Sequence, residues 1–132
     1  MQNAECTAQA PHKKIRSFTD LNTWKNGHKL VVDVYGITQT FPREELFGLT
    51  NQLRRAAVSF TSNIVEGFRR KSQKEKLQFY SIARGSLGEI QNQLLIARDI
   101  GYLPSETFQK LARQTVIVDK LTSGLLKKSK TI

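Results

Sequence analysis

The chain has 132 residues, 39% of them hydrophobic and 24% charged, and its 21 Lys and Arg stand against 11 Asp and Glu for a net charge of +10. That length makes one domain able to bury a core unaided. The single cysteine, Cys6, excludes an internal disulfide framework and suits a reducing cytoplasm, while the absence of an apolar run of about 18 residues leaves nothing to span a membrane.

Residues 1–17 carry no apolar stretch of the secretory kind. They read as a disordered or loosely ordered leader rather than as a small basic arm built on Lys13-Lys14-Ile15-Arg16. Phe18-Thr19-Asp20 opens the first helix, where Thr19 or Asp20 can accept from free first-turn amides. Its apolar stripe is Leu21, Trp24, His28, Val31 and Tyr35, in steps of three and four. Gly27 inside it costs about 1 kcal/mol against alanine and permits a close neighbour. The helix ends at residues 38–40, because Pro42 disfavours helical geometry at Phe41.

Pro42 suits the first turn of the second helix, and Glu44 and Glu45 suit its positive end. The stripe there is Leu46, Leu49, Leu53, Ala56, Phe60, Asn63 and Gly67, with Gly67 as the C-terminal cap. A short basic link over residues 68–76 follows, and Ser72 with Glu75 fits a capping box for the third helix. That helix repeats the rhythm at Tyr80, Ala83, Leu87, Ile90, Leu94 and Ala97 and stops at Gly101. Pro104-Ser105 starts the fourth, striped by Phe108, Leu111, Thr115, Val118, Thr122 and Leu125, with Ile117 and Leu121 widening the stripe. Lys127, Lys128 and Lys130 put cations at its negative end. Short links force neighbours to alternate direction. The expectation is all-α: an antiparallel up-down-up-down four-helix bundle over residues 18–128, with a frayed tail at 129–132.

No metal-ligand spacing, phosphate loop or nucleophile–base pair stands in the chain, so neither a metal nor another cofactor is expected, and no enzymatic activity. His28, on the apolar stripe, reads as a packed histidine with one hydrogen bond rather than a ligand or base. Ser59, Ser62, Asn63 and Glu66 form a polar line at helical spacing, with Ser59, Asn63 and Glu66 read as a network that fixes register. Arg70, Arg84 or a backbone end are the natural partners for Asn63 and Glu66, and a binding notch at one end of the bundle is the alternative. Ser81, Gly85 and Gly88 line one face of the third helix, for close packing either within the bundle or between subunits.

The charge excess favours a polyanionic partner, and nucleic acid is the commonest. Arg54, Arg55, Arg69, Arg70 and Lys71, with Lys74 and Lys76, concentrate the charge on the second helix and its link, and Arg84 and Arg98 add to it from the third. Such side chains neutralise phosphates without reading sequence.

Over Phe41-Pro42-Arg43-Glu44-Glu45-Leu46-Phe47-Gly48-Leu49, Gln52-Leu53-Arg54-Arg55-Ala56-Ala57, Ser59 and Ser62-Asn63-Ile64-Val65-Glu66-Gly67, the sequence resembles a bacterial family. These are the four-helix-bundle proteins encoded in intervening sequences of 23S ribosomal RNA genes. The agreement continues through Arg70, Ser72, Phe79, residues 82–87, Glu89, Leu94, Ala97 and Gly101-Tyr102-Leu103, and departs at Val65, where the family usually has alanine. The leader has no counterpart in the shared region. The resemblance implies a homopentamer without established enzymatic activity. The family is similar to the accessory variability proteins of diversity-generating retroelements, which bind a reverse transcriptase and nucleic acid. The expected function is therefore a cytoplasmic, non-enzymatic oligomer that binds RNA or DNA electrostatically. The alternative is an interaction scaffold or accessory subunit for an enzyme such as a reverse transcriptase.

Overall fold

The computed structural model describes residues 14–130; Cys6, Lys13, the rest of the expected leader before Lys14, and residues 131 and 132 lie outside the described residues. Four α-helices carry the fold: α1 (Asn22–Thr38), α2 (Leu49–Arg69), α3 (Gln73–Asp99) and α4 (Ser105–Lys130). Two 3₁₀ turns, Phe18–Asp20 and Arg43–Glu45, precede α1 and α2, and no strand occurs among the described residues. α1 packs on α2, α2 on α3, α3 on α4 and α4 back on α1, while the diagonal pairs do not meet. The core between them is filled by Leu30, Leu53, Phe60, Ile64, Leu87, Ile90, Leu94 and Leu111, all but closed to solvent. Burying each such side chain contributes about 1.5–3 kcal/mol before entropy is counted.

The caps explain where the helices begin and end. Ser17 and Asp20 form a capping box around the first 3₁₀ turn, with the Arg16 amide also donating to Asp20 at 2.9 Å. The cap thus sits earlier in the chain than Thr19 or Asp20, and Leu21, which begins α1 proper, offers no side-chain cap. Nor does α2 start at Pro42. Residues 43–45 form the 3₁₀ turn, and Glu45 then accepts from the Leu49 amide at 3.0 Å and from the Tyr102 hydroxyl at 2.8 Å. One carboxylate thereby caps α2 and ties the first link to the α3–α4 link. Ser72 caps α3 by accepting from the Glu75 amide at 3.0 Å, which is half of the expected box. Gly101, at φ 90°, supplies the left-handed residue that ends α3, and the Tyr102 amide donates to the Ala97 carbonyl. α4 continues through Lys130, with Ser129 buried.

The expected stripe of α3 from Tyr80 to Ala97 is buried; in α4 Leu111, Thr115, Val118 and Thr122 are buried, Phe108, Leu121 and Leu125 are partly buried, and Ile117 is exposed. In α2 the buried line is Leu53, Ala56, Ala57, Phe60, Ile64 and Gly67, so Ile64 replaces Asn63 as the inward residue and Leu46 is outside the helix and exposed. In α1 the inward line is Thr23, Gly27, Leu30, Val34 and Thr38; of the expected stripe Leu21 is buried just ahead of the helix, Trp24 and Val31 pack partly buried against the core, and His28 and Tyr35 are exposed. The cause is Gly27. A Cβ placed there would meet the Phe60 ring at 2.5–2.9 Å, so the bare backbone is what lets α2 close in on this face. Tyr80 packs in the same way on Gly67, where a Cβ would meet Tyr80 Cδ1 at 2.6 Å. At Gly85 and Gly88, by contrast, a Cβ would meet nothing within 4 Å, so the small face of α3 is not packed within the chain.

Gly27→Ala and Gly67→Ala should each lower stability by about 1–3 kcal/mol, because an aromatic ring must shift. Gly85→Ala and Gly88→Ala should raise it by about 0.5–1 kcal/mol through helix propensity alone. Urea unfolding of the four variants checks this, and a drop in stability at Gly85 or Gly88 would mean that a second molecule packs there.

The Glu45 carboxyl is held below the ordinary glutamate range, first by the Leu49 amide and then by the Tyr102 hydroxyl. A carboxylate depressed on folding contributes stability that is complete above its unfolded pKa and fades as pH falls through the folded one. Stability should therefore drop on acidification below the ordinary carboxylate range, and Glu45→Gln should flatten that part of the pH profile followed by thermal unfolding.

Candidate functional site

Four cross-links fix which ends of the helices meet. Gln73 Nε2 donates to the Ser129 carbonyl at 2.8 Å, joining the start of α3 to the end of α4. Lys76 Nζ donates to the Gly67 and Phe68 carbonyls at 3.1 and 2.9 Å, joining the start of α3 to the end of α2. The Arg69 guanidinium lies 5.9 Å from the centroid of Phe18, joining the end of α2 to the turn before α1. Thr23 donates to the Leu121 carbonyl at 3.3 Å, tying the start of α1 to the second half of α4. One pole of the fold therefore gathers Arg69, Arg70, Lys71, Lys74 and Lys76 with Lys127, Lys128 and Lys130 and with Lys14, Arg16 and Lys25. The acidic residues in those segments are Asp20, Glu66 and Glu75.

Lys127, Lys128 and Lys130 join this pole only through tertiary structure. In the sequence they lie more than fifty residues from the Arg69 cluster and read simply as cations favourable at a helix end.

The cations fall into two groups. Arg70 pairs with Glu66 at 2.8 Å and stacks 4.7 Å from the Phe79 centroid. Arg84 pairs with Asp119 of α4 at 2.9 Å, and Arg98 with Asp99 at 2.8 Å while lying over Phe108 at 4.6 Å. The partners of Arg84 and Arg98 hold both guanidinium pKa values above their ordinary range. Arg54 donates through Nε to Thr38 at 2.8 Å and stacks 4.7 Å from the Tyr35 centroid. Lys76 satisfies the carbonyl end of α2, and its partial burial pushes its pKa down. Arg55 and Lys71 are exposed and make no hydrogen bond or ion pair among the described residues. Of the expected interface residues, Arg69, Arg70 and Lys71 share the basic pole, Arg54 and Arg55 lie toward the opposite end of α2, and Arg84 and Arg98 lie along α3.

The polar line of α2 divides. Ser59 Oγ meets Ser86 Oγ at 2.9 Å across the α2–α3 contact, and Asn63 Nδ2 donates to the Ser59 carbonyl at 2.8 Å and to its hydroxyl at 3.3 Å. That pair of helices is thus keyed by a small hydroxyl–amide cluster. Glu66 is outside it, on the surface with Arg70.

His28 is exposed, and its ring is stacked on Trp24 with centroids 4.6 Å apart and planes 18° apart. It is neither inside the core nor held by one internal hydrogen bond, because the inward line of α1 runs one residue away, through Gly27. Among the described residues no three His, Cys, Asp or Glu side chains gather as metal ligands. A cleft of about 750 Å³ between the end of α1 and the α3–α4 link is bordered by Asp33, Thr40, Tyr102, Thr107 and Lys110. Its carboxylate, Asp33, is taken up by Gln114 Nε2 at 2.8 Å. No described helix is long and apolar enough to cross a membrane.

Comparison with known proteins gives a solved structure of the same fold. It is a protein with unknown function from the S23 ribosomal protein family of Bacteroides thetaiotaomicron, with a TM-score of 0.74 at 18% identity over 80% of this chain and 95% of that one. No curated protein matches the sequence. The model of the 23S rRNA-intervening sequence proteins matches residues 19–124, which takes in all of α1, α2 and α3 and most of α4, and the chain belongs to that family.

Proposed function

We propose that this protein is a non-enzymatic oligomer that binds nucleic acid electrostatically through its basic surface, and that its four helices form an up-down-up-down bundle with antiparallel neighbours. The bundle topology is supported by the pairings of early with late residues in neighbouring helices: Thr38 with Arg54, Gly67 with Tyr80, Gln73 with Ser129 and Thr23 with Leu121. The observation that carries the binding reading is the convergence of Arg69, Arg70, Lys71 and Lys74 with Lys127, Lys128 and Lys130 at one pole. Cations so gathered neutralise several adjacent phosphates and release their counterions, which gives affinity without sequence readout.

An oligomer, a pentamer on the family resemblance, would repeat that pole and add avidity to weak individual contacts. Apolar side chains left outside the core support assembly: Phe47 is 90% exposed, and Ile82, Leu95, Ile96, Val116 and Ile117 are exposed on α3 and α4. The same surfaces support a second reading, in which the protein is a cytoplasmic accessory subunit for a nucleic-acid enzyme such as a reverse transcriptase. That reading also rests on the family's similarity to the accessory variability proteins of diversity-generating retroelements. Phe47, an aromatic ring held in solvent, is the observation that favours a protein partner.

Binding of RNA and of duplex DNA should fall steeply with salt. Replacing Arg69, Arg70 and Lys71 together by Gln should weaken binding to all sequences and lower the salt slope by about one for each phosphate no longer neutralised. A filter-binding salt series with light scattering for mass checks both parts. Unchanged affinity would remove the pole from the interface. A folded multimer that binds neither nucleic acid at low salt would favour the protein-partner reading.

A further inference from the structure

Three members of the α1 stripe are rings that border the core, while Leu21 is buried in it and Val31 packs against it. Trp24, His28 and Tyr35 stand on one face of the helix, and Phe18 extends the row at the basic pole, its ring 5.4 Å from Trp24 in an edge contact. Trp24 is half-buried and supports the exposed His28 ring in a parallel stack. From Trp24 to Tyr35 the row is about 16 Å long at the helical rise. It runs along the seam with α2, which sends a guanidinium onto each end: Arg54 over Tyr35 at 4.7 Å and Arg69 over Phe18 at 5.9 Å. At the Tyr35 end the seam opens into a surface groove of about 530 Å³ bordered by Arg54, Arg55 and Val58.

Lys25 and Lys29 are exposed one step around α1 from the rings. The acidic groups nearest in sequence are engaged elsewhere. Asp20 accepts the amides of Arg16 and Ser17, and Asp33 accepts from Gln114 of α4. The row is therefore aromatic and bordered by positive charge.

We infer that this seam is a binding site for single-stranded nucleic acid, in which unpaired bases stack on the Trp24–His28 pair and on Tyr35 while Lys25, Lys29, Arg54, Arg55 and Arg69 take the phosphates. The inference rests on the nucleic-acid reading above and narrows it from any polyanionic duplex or strand to one whose bases are free. A duplex can use the cations but keeps its base faces covered, whereas each unpaired base presents a π-face that aromatic rings accept irrespective of sequence. Charge complementarity selects the nucleic-acid strand over a second copy of this chain, whose surface is also strongly basic.

Trp24 is the sole tryptophan, so its emission reports on this seam alone. The full-length protein would be titrated at low salt with homopolymeric RNA and DNA single strands and with duplexes of equal length. The single strands should quench or shift Trp24 emission and bind several-fold tighter than the duplexes. RNA against DNA strands would tell whether the 2′-hydroxyl matters. His28→Ala and Tyr35→Leu alter exposed rings, and circular dichroism would verify that the fold is kept. Each should weaken single-strand binding by about fivefold or more and leave duplex binding nearly unchanged.

Single-strand binding that leaves Trp24 emission and both variants unaffected would overturn the seam while sparing the basic pole. Absence of any binding by the unmodified protein would instead overturn the nucleic-acid reading itself. Trp24 emission that follows protein concentration without any nucleic acid, together with a lower mass for His28→Ala, would reassign the seam to a contact between subunits.

Discussion

The approach of α2 to its two neighbours across bare backbone is the constraint on which the rest depends. Phe60 lies on Gly27 and Tyr80 lies on Gly67, and neither ring has room for a methyl group on the facing helix. Each contact fixes both the distance and the axial register of a helix pair, because a shift by one turn would set a side chain against the ring. The Ser59–Ser86 hydroxyl pair repeats the α2–α3 register in polar form. With α2 locked on both sides, α4 closes the ring through Gln91–Thr115 and Gln114–Asp33. A glycine within a helix costs about 1 kcal/mol by propensity, and here the close packing of an aromatic side chain offsets it.

How much of this was legible in the sequence depends on whether the signal was local. The stripes of α3 and α4 could be read because Tyr80, Ala83, Leu87, Ile90 and Leu94, and Leu111, Thr115, Val118 and Thr122, are both periodic and inward. The stripe of α1 was equally periodic, and its helical part lay one residue off. Hydrophobicity ranks Trp24 and Tyr35 above Gly27 and Thr38, but the inward position went to the residues small enough, or able enough to bond backwards, to meet another helix. Thr38 satisfies its own hydroxyl on the Val34 carbonyl at 2.7 Å, so a polar residue is accommodated in the core. Likewise Asn63 reads as an interior residue on spacing, yet Ile64 takes that place, and Asn63 turns to the Ser59 carbonyl. The basic pole was only half legible. Arg69 to Lys76 are a sequence cluster, but Lys127 to Lys130 reach them through the fold.

Charge counting also overstates an interface. Five of the cations that stand out in the sequence already serve the fold: Lys76 on the carbonyl end of α2, Arg54 on Thr38, Arg70 on Glu66, Arg84 on Asp119 and Arg98 on Asp99. The three carboxylate pairs are exposed, and solvent screening leaves such pairs little net stabilisation. Their arginines can therefore turn to a phosphate at small cost to stability, whereas Lys76 cannot leave without orphaning the Phe68 carbonyl, the Gly67 carbonyl keeping the Arg70 amide. The side chains of Arg55, Lys71 and Lys74, like those of Lys25 and Lys29 of α1, are exposed and make no hydrogen bond or ion pair among the described residues, while Arg69 is held only by the face of Phe18. The free cations are spread over several faces and both ends of the helices, so a net charge of +10 brings only some of them to any one strand.

That shortage gives the aromatic row its physical place. A few phosphate contacts on a small protein yield weak, salt-sensitive binding, and two remedies are open. One is repetition of the pole in an oligomer, which multiplies contacts without strengthening any of them. The other is a term that salt does not screen, and base stacking is such a term. The rings that border the core stand at the same seam where Arg69 and Arg54 lie over Phe18 and Tyr35. The two remedies differ in how affinity should respond to ionic strength. Repetition alone steepens the dependence, because every contact added is a phosphate contact. Stacking raises affinity while leaving the slope where the phosphate count sets it.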